Sequence, residues 1–468
     1  MTDAMRDKRA ENIRRLQSET FDVLIAGGGI NGAGIARDLM LREGDFRVAV
    51  VDKGHFASGT SGRNSQLIHG GLRYLKYFDF QLVREALRER STLLRIAPGL
   101  VRPLEFLIPC YSAFDRWFYG AGLVLYDVLA GRHAIGHHRT LNQEKVRELE
   151  PHLDRSQLRA GLVFRDCEVN SARLVLENIL DAESRGACVA NYVGVAWRDR
   201  EIEATDHLTG ERFAIRARRM VDATGAWSAA GSLRLVRGSH LIFPKIQAGS
   251  EAISYFDEKG RIVFLIPWGE NGDLTLVGTT DVDHSGSPDD VRISRDETEY
   301  LTGIVRRLFP EYRGKPISSY SALRSLVPEE GRSATSTSRE HRIWETSDGI
   351  LHVAGGKYTT YREMSEELVD TLLREIAPGR DLPCKTAQTP IPVASLPSDV
   401  ASRTRMAVER EYARRLEDVI YVSTYEGYER PLDADWLLPI ALVMGEMLGW
   451  DSAQVDAELR RVLSGAAA

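Results

Sequence analysis

Apolar residues gather in short runs along this chain, and most runs end at glycine. Residues 21–26, FDVLIA, have the length and composition of a buried strand. Residues 27–34 read as a glycine-rich turn, 35–42 as a helix and 47–52, RVAVVD, as a second strand. Together they predict a βαβ unit of about 30 residues. Residues 79–96 have helical spacing with charges on one face, and Pro98 and Gly99 stop them. Further strands are expected at 187–195, 218–222, 261–266, 274–277 and 350–354, and a helix over 361–376.

Other stretches depart from that alternation. The first 20 residues lack an apolar core, so they are no secretory signal; they fit a short charged surface helix or a disordered arm. Residues 117–129, WFYGAGLVLYDVL, fall short of the roughly 20 apolar residues that span a bilayer. They fit either a buried helix or one lying in an interface. Residues 386–400, with Pro390, Pro392 and Pro397, read as a linker, and 401–468 as a mostly helical module.

Bulk composition narrows the classes. A chain of 468 residues is expected to form two or three domains. A net charge of −6 gives no global attraction to nucleic acid, so no nucleic-acid partner is expected. The four cysteines, Cys110, Cys167, Cys188 and Cys384, form no C-x-x-C pair, and their spacing suggests neither a metal site nor a disulfide framework. A reducing compartment, the cytoplasm, fits best.

The candidate chemistry begins at Gly27. The run Gly27-Gly28-Gly29-Ile30-Asn31-Gly32 fits G-x-G-x-x-G, follows a strand, opens a helix and precedes Asp52 at the end of the next strand. That context specifies a dinucleotide site. Gly27 permits the tight turn, Gly29 lets a pyrophosphate approach the helix N-terminus, and Asp52 can accept hydrogen bonds from a ribose. NAD and FAD both remain open at this point. Two more strands run into glycine, at Val221-Asp222-Ala223-Thr224-Gly225 and at Ala354-Gly355-Gly356-Lys357. Three such junctions suit FAD, which is long and is gripped along its length.

The blocks GGGINGAGIARDL, SGTSGRNSQLIHGGLRYL, LVREALRER, RGSHLIFPK, FLIPW, VGTTD and GGKYTTYREM occur in this order between residues 21 and 366. With them the chain resembles the FAD-dependent, quinone-linked glycerol-3-phosphate dehydrogenases and their oxidase relatives. The resemblance implies an α/β fold with a discontinuous Rossmann-like FAD-binding domain (mainly 21–100, 150–227 and 348–385). It also implies an α+β substrate cap on a mixed sheet, mainly 228–347, and a small C-terminal helical module. It implies oxidation of sn-glycerol 3-phosphate to dihydroxyacetone phosphate, with hydride transfer to flavin N5 and electrons passed to a quinone. A membrane-surface contact, on the inner face of the cytoplasmic membrane, and a homodimer belong to the same expectation.

The resemblance also assigns residues. Arg73, Tyr74, Arg324 and Arg339 would face the substrate phosphate, which a planar guanidinium suits. His240 would take the hydroxyl proton. Lys357 would stabilise negative charge at the flavin N1–O2 edge, with Thr359 and Thr360 bonding that edge. Thr60, Ser61 and Ser65 would bond the pyrophosphate or ribityl chain, and His69, Gly70, Gly71, Ala223, Gly225 and Gly356 would lie against the cofactor. Asp281 would orient a neighbour. No metal is implied. The chain departs from the pattern at Gln66, where lysine is expected, and at Ser325, where proline is. Tyr358 stands for leucine, Asn170-Ser171 for an acidic pair, and Tyr421-Val422-Ser423 where arginines are usual. These differences, read as lying on the substrate side and in the C-terminal module, motivate an alternative: a paralogue acting on another phosphorylated polyol or pathway intermediate, or an oxygen-using oxidase.

Overall fold

A computed structural model describes residues 7–198, 201–228, 233–328 and 340–466, which build two sheets. The first has the order His341–Glu345, Ile350–Gly355, Arg212–Asp222, Thr20–Ala26, Val48–Val51 and Cys188–Ala190. Thr20–Ala26 pairs in parallel with strands on both sides, and its unbroken apolar run is buried on both faces, as a central parallel strand requires. Three strand ends, Ala26, Asp222 and Gly355, therefore open along one edge, each with a glycine within three residues. The helix after the first turn runs Ile30–Leu41, longer than expected. A Cβ on Gly32 would come within 1.9 Å of the Gly27 carbonyl oxygen, so glycine there lets helix and turn close up.

The strand expected over 187–195 is broken into Cys188–Ala190 and Val193–Arg198. Tyr192, at φ 56°, turns the chain between them, and Arg9 Nε donates to the Asn191 carbonyl at 3.1 Å. Val193–Arg198 then forms a hairpin with Glu201–Asp206, which edges Arg212–Asp222.

The second sheet is mixed and has ten strands. Six, from Arg234–Pro244 to Ser318–Leu326, come from the expected cap. The cap expectation is corrected for the other four: Leu67–Ile68, Val101–Cys110, Arg139–Asn142 and Ala160–Val169 lie outside 228–347. Val101–Cys110 and Ala160–Val169 pair antiparallel along their whole length. That partnership spans a long sequence separation, so local periodicity carries no trace of it.

The first described helix and the C-terminal helices are both docked against the rest of the fold. The helix Lys8–Ser18 is held by Arg9, whose guanidinium meets Asp206 at 2.8 Å in nearly complete burial, and by Asn12 Nδ2 on the Val189 carbonyl. The proline-rich 386–400 stretch is a strap rather than a free tether. Arg37, paired with Asp181 at 2.7 Å, donates to the carbonyls of Thr389 and Pro390, and Ile391 N–H bonds Ile96 O. The helices Val400–Arg410, Ala434–Leu448 and Ser452–Ala466 then pack round a core that includes Leu416, Ile420, Leu437 and Met444.

The apolar 117–129 run lies in the helix Ala113–Ala130, started by a Ser112/Asp115 capping box. It buries Leu123, Tyr126 and Ala130 but leaves Phe114, Trp117, Val124 and Val128 exposed, so the run is not a buried helix. Among the described residues no helix is long and apolar enough to cross a membrane.

Candidate functional site

A cavity of about 1190 Å³ runs from the Val193–Asp206 hairpin, past the three glycine-tipped strand ends, to the face of the second sheet. At one end stands the first turn. Gly27 has φ 105°, a left-handed value glycine adopts without strain. Gly29 and Asn31 line the cavity where the Ile30–Leu41 helix presents its N-terminus, a position that favours a phosphate. Asp52 accepts from Gly28 N–H at 2.7 Å and from Gly54 N–H at 2.8 Å. Burial raises its pKa and these two amides oppose the rise. Ala223, Gly225 and Gly356 border the same space from the other strand ends. Asp222 anchors that junction. Burial alone would raise its pKa, but His352, Ser228 and Thr224 donate to it and hold it below the usual carboxylate value.

At the middle of the cavity lies Lys357. Its Nζ is buried, has no hydrogen-bond partner among the described residues, and sits 3.9 Å from the Tyr74 ring centroid. Burial lowers its pKa to about 8; the Tyr74 hydroxyl opposes that and the Arg73 charge adds to it. His69 lines the same region, and burial, then Lys357 and Arg73, push it down to about 3. A buried cation lacking a partner, a glycine-rich turn and a helix N-terminus along one elongated cavity fit FAD, an anionic cofactor with an electron-rich edge.

At the far end two arginines converge. Arg324 Nη1 donates to Asp281 Oδ1 and to the Thr280 carbonyl, both at 3.1 Å, and Nη2 donates to Thr279 Oγ1 at 2.9 Å. Arg73 Nη1 lies 3.6 Å from Asp281 Oδ2, and Nη2 donates to Tyr74 OH at 3.2 Å. Asp281 thus bridges both guanidinium groups, a role that the VGTTD block left undefined. His240 lines the wall beside Arg324. Its Nε2 is 2.8 Å from Ser65 Oγ, a pairing the sequence did not suggest. Burial first, and the Arg324 charge second, push His240 down to about 3.

Several expectations are corrected. Thr359 and Thr360 do not line the cavity: Thr359 Oγ1 accepts from His69 N–H and Thr360 Oγ1 reaches Lys357 O, so both hydroxyls are buried in backbone contacts at the helix start. Gly70 packs against Leu87 and Tyr126 and its N–H donates to Asp166, and Gly71 borders the cavity. Gly32 lies off the cavity, against Gly27. Thr60 and Ser61 line it, but Thr60 Oγ1 donates to Leu323 O at 2.6 Å and Ser61 Oγ accepts from Ile30 N–H at 2.9 Å. Gln66 is not on the substrate side. It is buried, with Nε2 on Gly62 O and Oε1 accepting from Ser171 N–H and Oγ–H. Tyr358 OH donates to the Ser171 carbonyl at 2.6 Å, and Tyr425 OH donates to Gly62 O at 3.0 Å and lies 3.3 Å from Ser171 Oγ. Three departures from the family pattern are therefore one cluster. Of the departures, Tyr358, Ser325, Tyr421 and Val422 line the cavity. Arg339 lies outside the described residues.

Residues 22–362 match the family model described as FAD dependent oxidoreductase. A glycerol-3-phosphate dehydrogenase of Synechocystis is 37% identical, over 82% of this chain and 75% of its own. A D-erythritol 1-phosphate dehydrogenase of Brucella abortus is 38% identical, over 75% and 73%. The crystal structure of a glycerol-3-phosphate dehydrogenase from Bacillus halodurans complexed with FAD superposes with a TM-score of 0.78 over 98% of this chain and 96% of that one, at 23% identity.

Proposed function

Because the chain belongs to the FAD-dependent glycerol-3-phosphate dehydrogenase family, and so is a flavin-dependent oxidoreductase, we propose that it oxidises sn-glycerol 3-phosphate to dihydroxyacetone phosphate and delivers the electrons to a quinone. The observation that carries this reading is the Arg73–Asp281–Arg324 bridge beside His240 and Lys357 on one cavity. FAD, when bound, supplies the acceptor for the hydride leaving the carbinol carbon.

The chain's own residues do the rest. Arg73 and Arg324, fixed by their shared carboxylate, bind the substrate phosphate through charge-assisted hydrogen bonds. His240 is neutral near pH 7, the state a base requires, and its Nε2, which Ser65 Oγ occupies at 2.8 Å, takes the hydroxyl proton once the substrate hydroxyl displaces that contact. A phosphate dianion on Arg324 offsets the smaller of the two causes that depress His240, while burial, the larger, remains. Lys357 Nζ keeps a positive charge against the flavin edge.

The quinone and membrane readings rest on the exposed face of Ala113–Ala130. Trp117 is 69% and Phe114 64% exposed, and Phe78, 78% exposed, follows directly on the turn Leu72–Tyr77 that carries Arg73 and Tyr74. Aromatic rings flanked by Arg116 and Arg132 suit a lipid surface. The name of the Brucella relative favours a second reading, a longer phosphorylated polyol as substrate. Anaerobic mixing of the holoenzyme with glycerol 3-phosphate, erythritol phosphates and unphosphorylated glycerol tests both. Bleaching by glycerol 3-phosphate supports the first; bleaching only by a tetritol phosphate replaces it with the second. An oxidised flavin under excess of every phosphorylated polyol sinks both.

A further inference from the structure

The imidazole of His240 is held in an unusual way. A catalytic histidine is ordinarily oriented by a hydrogen bond at the nitrogen that does not face the reaction. Here Nδ1 is buried and has no hydrogen-bond partner among the described residues. One bond, from Nε2 to Ser65 Oγ, leaves rotation about that contact undetermined. The two ring faces must supply the remaining constraint. On one side is the strand Leu274–Gly278, where a Cβ on Gly278 would come within 2.1 Å of His240 Cδ2. On the other is Tyr320, the direct cross-strand partner of His240, with ring centroids 5.0 Å apart and 30° between planes.

Tyr320 is itself backed from the C-terminal module. Its hydroxyl donates to Asn64 O at 2.6 Å, in the segment that carries Ser65. Its ring meets Tyr428 at 5.0 Å, and Tyr428 rests on Tyr421 at 4.7 Å. Ser318 Oγ donates to the Tyr428 carbonyl and clamps that turn to the strand bearing Tyr320. Neither Tyr320 nor Tyr428 lines the cavity, but Tyr421 and Asn64, which they touch, do, so the pH profile of the imidazole rather than the rate alone isolates an effect that passes through His240.

We propose that Tyr428, acting through Tyr320, is a positioning residue for His240, which makes the C-terminal module part of the catalytic apparatus. This rests on His240 being the base. The titratable and charged groups around the ring are Tyr320 and Arg324 on its partner strand, Ser65 on the cofactor loop and Asp281 behind Arg324. Of these, only Arg324 adds to burial in disfavouring the imidazolium. Loss of the tyrosine stack admits water and weakens the burial contribution.

The test uses FAD-loaded protein and anaerobic stopped-flow reduction by glycerol 3-phosphate, or by whichever polyol phosphate bleaches the flavin. Tyr428→Phe, which keeps the ring and loses only the hydroxyl's contact with Arg63, should keep the native pH profile. Tyr428→Ala should slow reduction roughly 10- to 100-fold, the scale of small misplacements of a reacting group. FAD content and substrate dissociation constant should stay within about twofold. Its rate should also acquire an acid limb between about pH 5 and 7, toward the ordinary histidine value, absent from the native profile. Tyr428→Leu, with similar volume and no ring stack, replaces the Ala variant if that fails to fold. Native rates and pH profile in both variants, or a rate loss matched by FAD loss, overturn the proposal. His240→Ala separates the two readings. Undiminished reduction there removes the base assignment, whereas a dead His240→Ala beside a native-like Tyr428→Ala removes only the positioning role.

Discussion

Gln66 Oε1 accepts two hydrogen bonds from Ser171, one from its amide and one from its hydroxyl, each 2.8 Å long. Both residues are buried, and Tyr358 and Tyr425 close the cluster through their hydroxyls. A neutral pair thus occupies a place where lysine and an acidic residue are expected from the family pattern. Exchange on one side alone would leave an unpaired charge in low dielectric.

Gln66→Lys should therefore destabilise the protein by about 3–5 kcal/mol, the cost of a buried charge without its partner. Gln66→Lys with Ser171→Asp should recover most of that. Chemical denaturation of the three proteins checks it. Equal stability of single and double variants would show that the two positions are not coupled.

Asp281 should act on substrate binding. Asp281→Ala frees two guanidinium groups that it now holds, at a cost of about 1–2 kcal/mol, so KM should rise about tenfold while FAD stays bound. A lower KM would mean instead that the carboxylate opposes phosphate more than it orders the arginines.

Lys357 sets the alkaline behaviour. Its pKa falls from an ordinary value of 10.5 to about 8 in the fold, so the folded chain binds fewer protons than the unfolded chain between those values. Stability of FAD-free protein should then rise with pH across that window. At pH 7 Lys357→Met should be more stable than the native protein by about 3 kcal/mol, with the gap closing toward pH 10.5. Flavin reduction, which needs the cation, should fall on the alkaline side, at a pH above the ligand-free value of about 8 because the flavin edge favours the ammonium, and Lys357→Arg should lose that limb.

The exposed aromatic face should bind lipid. Trp117→Glu with Phe114→Glu should abolish flotation with anionic vesicles and leave reduction by a soluble substrate unchanged. Flotation equal to the native protein would remove the helix from the membrane reading.

Arg37 makes the strap measurable. Arg37→Met removes one of two arginine partners from buried Asp181, which keeps Arg185 at 3.0 Å, and releases the Thr389 and Pro390 carbonyls, so the midpoint of thermal unfolding should drop, by about 1.5–3 kcal/mol in stability. An unchanged midpoint would show the 386–400 contacts to be incidental.

Much of the first domain was legible in the chain itself. Strand 21–26, the turn at Gly27 and the helix 361–376 rest on contacts between near neighbours, so composition and spacing specify them. The three strand-to-glycine junctions were legible for the same reason. The sequence by itself thus determined a dinucleotide-binding βαβ unit and the order of the blocks that carry the family resemblance. The tertiary structure decided the rest. It paired Val101–Cys110 with Ala160–Val169, turned Thr359 and Thr360 inward, laid Asp281 between Arg73 and Arg324, and backed the His240–Tyr320 pair with Tyr428 from the C-terminal module. Each of these joins residues distant in sequence, and which hydroxyl or carboxylate meets which partner is set by long-range packing that no local pattern encodes.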